Sequence, residues 1–142
     1  MVSAGPLIST TIQALAKQVP TWHDNLRLID FTPLPCAASR ETAKRSDLAG
    51  HAGYGYCRSH SRYFWGFRLY LVTTAEGMPV TWCLTHPGLG EREVMTALLE
   101  RDRHLVHSGQ VILADKGFAG REFEAFLAGR PSARASIWCG RT

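Results

Sequence analysis

The stretch VILADKGFAG, residues 111–120, decides how the rest of the chain is read. Val111, Ile112, Leu113 and Ala114 form a short apolar run that meets Asp115, Lys116 and Gly117. Such a run, bounded by a turn signal, predicts a buried strand, and the strand is expected over 110–118. An aspartate at its end has two readings. It is a turn former or helix N-cap, or it is a carboxylate delivered to the strand's carboxyl end, where open α/β sheets gather working groups.

A second aspartate has the same setting. In residues 25–35, NLRLIDFTPLP, the apolar Leu26, Leu28 and Ile29 predict a short strand ending at Asp30, because Pro33 and Pro35 cannot continue a central ladder. Residues 36–62 are polar, rich in Gly, Ser and Arg, and aperiodic, which predicts a long loop. YFWGFRLYLVTT and MPVTWCLT, flanking Ala75-Glu76-Gly77, predict a β-hairpin. Residues 90–105 follow as the best helix, with Val94, Leu98, Arg101 and Leu105 on one stripe and Ala97 beside them. Glu91 and Glu93 sit in its first turn, and Arg101, Arg103 and His104 in its last, each sign at the favourable end of the dipole. A helix over 7–19, stopped by Pro20, opens the chain, and a short helix in REFEAFLAG closes the pattern. These pieces assemble most simply as a mixed α/β sheet.

At 142 residues the chain holds one core rather than two ordinary domains. No apolar run reaches membrane-spanning length, the first residues carry no secretory pattern, and four cysteines are too few and too scattered for a disulfide framework. A cytoplasmic location is the expectation. Between Arg40 and Arg68 there are six cationic side chains against two acidic ones, which equals the whole chain's net charge of +4. Tyr54, Tyr56, Tyr63, Phe64 and Trp65 lie in the same segment. Basic groups interleaved with aromatics suit a polyanion that carries bases; a solvated loop with a few core aromatics has the same composition.

If the strands before Asp30 and Asp115 are neighbours, two carboxylates converge, and they repel unless a cation sits between them. Hard divalent ions take carboxylate oxygens, and paired ions of this kind serve phosphoryl transfer. Other candidates are weaker. His104, His107 and Asp102 sit at a helix C-terminus, where histidine is favourable without any metal. Cys57 and His60 lack the second pair that zinc needs. Trp65 and Trp82 suit the core better than base stacking. No Ser-His-Asp set or Walker-type loop is present.

LIDFTPLPC, KRSDLAGHAGYGYCRSHSRYFWGFRLYLV, EGMPVTWCL, GEREV and ILADKGFAGREFE, in that order, together resemble insertion-sequence transposases of the DDE superfamily. The resemblance spans about Leu28 to Leu127. It implies an RNase H-like mixed sheet with flanking helices, incomplete at the C-terminus. It implies a helical remnant over 1–25, a partial catalytic domain over 26–130 and an irregular tail over 131–142. Asp30 on the first strand and Asp115 on the fourth would be the catalytic aspartates and would hold Mg²⁺ or Mn²⁺. The hairpin would supply strands two and three. Lys44, Arg45, Arg58, Arg62 and Lys116 would contact DNA, and a second copy or a full-length transposase would be a protein partner. The third acidic ligand of the family, a glutamate on a downstream helix, has no counterpart in the tail PSARASIWCGRT. Glu122 and Glu124 belong to the REFE string, and Phe31 stands where a small polar residue is expected. A truncated, inactive transposase is therefore the expectation, with a non-catalytic DNA-binding or regulatory protein, or a metal-dependent nuclease, as alternatives.

Overall fold

The computed structural model describes residues 4–58, 60–105, 109–129 and 133–135. Among these residues four α-helices, α1 (Ala4–Ala16), α2 (Arg40–Arg45), α3 (Glu91–Arg101) and α4 (Arg121–Ala128), accompany six strands. The strands are β1 (Leu26–Ala37), β2 (Gly53–Cys57), β3 (Arg62–Thr74), β4 (Pro79–Thr85), β5 (Gln110–Ala114) and β6 (Ala133–Ala135). All six belong to one mixed sheet ordered β2-β3-β1-β5-β6, with β4 also paired to β3. The mixed α/β architecture expected from the sequence is the one observed. Among the described residues, no helix is long and apolar enough to cross a membrane.

β3 organises the antiparallel half. It pairs β1 along one edge, while its other edge holds β2 over Arg62–Gly66 and then β4 over Arg68–Thr73. The β3–β4 hairpin closes as expected, with Gly77 N donating to Thr74 O at 3.0 Å. The parallel half is smaller: Leu26, Arg27, Leu28 and Ile29 pair Val111, Ile112, Leu113 and Ala114. A parallel pair needs a crossover. α3 supplies it, burying Val94, Met95, Leu98 and Leu99 in the main core with Ile29, Tyr70, Val72 and Ile112. α4 adds Phe123 and Leu127.

Several boundaries differ from the sequence reading. β1 does not stop at Asp30 but continues to Ala37. Its pairing to β5 ends at Ile29, and beyond that point one edge has no strand partner among the described residues. Pro33 and Pro35 lie two apart, so their missing N–H groups fall on a single edge, the arrangement that an edge strand tolerates. The loop expected over 36–62 contains α2 and β2. Ser39 caps α2, its hydroxyl accepting from Thr42 N at 3.1 Å. The strand expected over 110–118 ends at Ala114, and Lys116–Phe118 form a 3-10 turn. Within the expected irregular tail, Ala133–Ala135 pair in parallel with β5. The α3 stripe includes Met95 and Leu99, whereas Ala97 and Arg101 are exposed. Trp65 is buried against Ala43 and Ala52, as a core residue should be, and Trp82 is half-buried. α1 forms as expected but leaves Leu7, Ile8 and Leu15 largely exposed.

Two local contacts fix the sheet and the crossover. At a bulge in β1, register shifts between Pro35 and Ala37 opposite Gly66 and Trp65. There the backbones approach so closely that a Cβ on Gly66 would collide with Leu34 O and lie 2.9 Å from Cys36 N. At the far end of α3, Asp102 accepts from Thr81 Oγ1 and pairs with Arg101 at 2.6 Å, while Arg101 also donates to Trp82 O at 3.2 Å. Burial alone would raise the Asp102 carboxyl, but hydrogen bonds from Arg101 and Thr81, with the Arg101 charge, hold it below the usual carboxylate range.

The Gly66→Ala variant should lose at least about 1–3 kcal/mol in urea denaturation, because backbone rather than a flexible side chain must move. A loss under about 0.5 kcal/mol would show that the bulge relaxes freely. Because the folded Asp102 pKa is depressed, its stabilisation is present above the ordinary carboxylate pKa of about 3.9 and is lost as pH falls through the folded value. Asp102→Asn should lower stability at pH 7 by roughly 1–3 kcal/mol, and it should flatten the decline in stability below about pH 4. An unchanged acid limb would assign that limb to other carboxylates.

Candidate active-site groove

Ile29 and Ala114 are the last register partners of β1 and β5, so Asp30 and Asp115 each come directly after the last paired position of two strands roughly 4.8 Å apart. The aspartates, widely separated in sequence, reach one place because each directly follows a buried residue of that pair. Both line an open groove of about 1060 Å³. Its remaining walls come from β1 (Phe31, Pro33), from the end of β2 and the turn after it (Tyr56, Cys57, Arg58), from β3 (Arg68), from the start of α3 (Glu91, Arg92) and from Gly117.

Asp30 is exposed, and its Oδ1 accepts from Phe31 N at 2.7 Å, which fixes the carboxylate against its own backbone. Asp115 is also exposed, and Phe118 N donates to its carbonyl at 2.9 Å. That bond closes the 3-10 turn by which the chain leaves the sheet.

A third carboxylate enters from α3. Glu91 pairs with Arg68 at 3.3 Å, both side chains largely buried. The Arg68 guanidinium also lies 5.0 Å from the centre of the Phe31 ring. Phe31 in turn meets Tyr70 and Phe118. Phe31 therefore acts as the apolar shelf on which the Arg68–Glu91 pair rests, a role no small polar residue would fill. Burial raises the pKa of the neighbouring Tyr70 hydroxyl, against the opposing influence of Arg68.

Among the described residues no three His, Cys, Asp or Glu side chains stand close enough to hold a metal ion together. Strand alternation gives the reason. Asp30 falls on the face opposite Ile29 and Phe31, whereas Glu91 is tied by Arg68 to the Phe31 side. The groove collects three carboxylates along its walls without closing them into one cluster.

The basic residues expected to touch DNA divide. Arg58 lines the groove. Arg62 begins β3 in an exposed position. Lys44 and Arg45 end α2, exposed, with Arg45 in a loose 4.0 Å pair with Glu41. Lys116 lies in the 3-10 turn, and its side chain is outside the described residues. Arg68 and Arg92 line the groove and were not expected there; the signal available was Arg92 beside Glu91 at the start of the best helix. Glu122 is exposed, and Glu124 accepts from Gly120 N at 3.2 Å, which stabilises the start of α4. Asp102 is occupied by Arg101 and Thr81, and His107 lies outside the described residues.

No known family model matches the sequence, and no curated protein is similar to it.

Arg68→Met should destabilise the fold by about 1–2 kcal/mol in urea denaturation, since it removes a partly buried ion pair and a contact with an aromatic face. Exposed Arg92→Ala should change stability by no more than about 0.5 kcal/mol. Equal effects of the two would mean that the Arg68–Glu91 pair does not hold the groove wall.

Proposed function

We propose that this chain is a DNA-binding domain of the DDE-transposase type, built on an RNase H-like sheet, whose groove takes one divalent ion and a DNA phosphate. The observation that carries the reading is the meeting of Asp30 and Asp115 at the end of the β1–β5 pairing, in a groove that Arg58, Arg68 and Arg92 also line. The topology supports it. With β2 set aside as an insertion, Asp30 lies within the first strand and Asp115 directly follows the fourth, the hairpin supplies strands two and three, and α3 crosses over before the second aspartate.

The donors offered by Asp30 and Asp115 are carboxylate oxygens, which suit Mg²⁺ or Mn²⁺ rather than a softer metal. When bound there, such an ion polarises a phosphoryl oxygen and activates a coordinated water. The chain's own groups divide the remaining work. Asp30 and Asp115 hold the ion, and Arg58 and Arg92 face the phosphates. Arg68 stays with Glu91, which keeps that carboxylate away from the ion. Two carboxylates fix one ion better than two, and a poorly stabilised leaving oxygen costs several kcal/mol of barrier, about a thousandfold or more in rate. The reading is therefore of DNA and metal binding with strand transfer severely impaired.

A salt titration of duplex DNA binding tests the interface. Each lost phosphate contact should reduce the slope of log K against log salt by about 0.9. Arg58→Ala with Arg92→Ala should thus reduce it by about 1.8, while Lys44→Ala with Arg45→Ala should change it less. An unchanged slope in the Arg58/Arg92 variant would remove the groove as the DNA surface. Efficient strand transfer in Mg²⁺, abolished by Asp115→Ala, would overturn the statement that activity is impaired.

A further inference from the structure

The groove continues onto a surface for which phosphate contacts give no use. β2 and β3 form a hairpin in which Tyr54 faces Trp65 and Tyr56 faces Tyr63. Opposed residues share a face of an antiparallel pair, as do residues two apart, so Tyr54, Tyr56 and Tyr63 lie on one face. Their exposures are 59%, 41% and 79%. Trp65, on the same face, is instead buried beneath α2 with Ala43 and Ala52. The Tyr56 and Tyr63 rings lie 4.9 Å apart at 54°, so they touch each other while their outer surfaces stay open to solvent. Arg58 follows β2 and Arg62 begins β3, placing two cations at the hairpin tip. Tyr56 and Arg58 line the groove, so the aromatic surface starts at the groove's edge.

An apolar partner would leave Arg58 and Arg62 to be desolvated without compensation. A fully paired duplex would present phosphates to the arginines and no ring faces to the tyrosines. An unpaired strand presents both at once, with phosphates for the cations and base faces for the rings. We propose that the β2–β3 hairpin is a stacking platform for one or two unpaired nucleotides of DNA, led from the groove over Tyr56 to Tyr63. This rests on the reading of the groove as a DNA site and adds to it the form of DNA taken, a strand opened next to the two aspartates.

The test compares a short single-stranded DNA with its own duplex by fluorescence anisotropy, using the full chain, and follows each variant's folding by urea denaturation. Tyr56→Ala with Tyr63→Ala should weaken single-strand binding at least about fivefold, the lower end for one lost base stack, and Tyr63→Ala alone, outside the groove lining, should weaken it while leaving duplex binding within twofold. Tyr56→Phe with Tyr63→Phe, which keeps the ring faces, should restore single-strand affinity and also controls for any loss of hairpin stability in the alanine variant. Equal losses on both probes, no rescue by phenylalanine, or tighter binding of the same sequence as RNA would overturn the proposal. If duplex binding remains salt-dependent while single-strand binding ignores the tyrosines, the platform fails and the groove reading stands. If neither probe binds, both fail.

Discussion

Four residue pairs of parallel sheet carry the arrangement on which everything else depends. Leu26–Ile29 against Val111–Ala114 is the contact that joins the antiparallel half of the molecule to its last third. It is short, so its stability comes from what surrounds it. Ile29, Ile112 and Ala114 are buried in the main core. Arg27, fully buried, ties the start of β1 to the preceding turn by donating to Trp22 O at 2.6 Å and Asp24 O at 2.8 Å. Val111 N donates to Asn25 O at 2.6 Å at the beginning of the pairing. A slip of one residue in this register would turn Ile29 outward and bring Asp30 inward, so the burial that stabilises the pair also places the aspartates.

The groove is electrostatically mixed rather than uniformly acidic. Asp30, Asp115 and Glu91 share it with Arg58, Arg68 and Arg92. The charges are sorted by burial: Arg68 and Glu91 neutralise each other on the Phe31 shelf, and the two aspartates stand exposed where the β1–β5 pairing ends. This sorting explains why Phe31 is compatible with the site although a small polar residue was expected. It also explains why Glu91, on the same groove, is not free to join the aspartates.

How much of this was legible in the sequence varies by element. α3 is readable from its helical period, and the hairpin and the strand before Asp115 from apolar or aromatic runs that end in turn residues. Pro33 and Pro35 argue against a central strand and so shorten β1 in the sequence, which does not reveal that one edge of β1 has no partner among the described residues after Ile29. The glycines of β2 suggest a loop. Gly55 is instead required by packing, since a Cβ there would lie 2.6 Å from the Pro87 Cβ. α2 has a local signal in the sequence, Ser39 as N-cap with Glu41 in the first turn. The shared position of Asp30 and Asp115 was inferred from their strand ends. Glu91, Arg68 and Arg92 were not, because only the tertiary path of α3 and β3 brings them to the groove.

The central claim is that Asp30 and Asp115 together hold a divalent ion. Paramagnetic broadening by Mn²⁺, read from amide resonances, tests it most directly because it locates the ion without requiring catalysis. The account predicts that substoichiometric Mn²⁺ broadens the amides of Asp30, Phe31, Asp115 and Gly117 first, leaves those of α2 unaffected, and loses this selectivity in Asp115→Asn. Broadening centred elsewhere, or an identical pattern in Asp115→Asn, would contradict it.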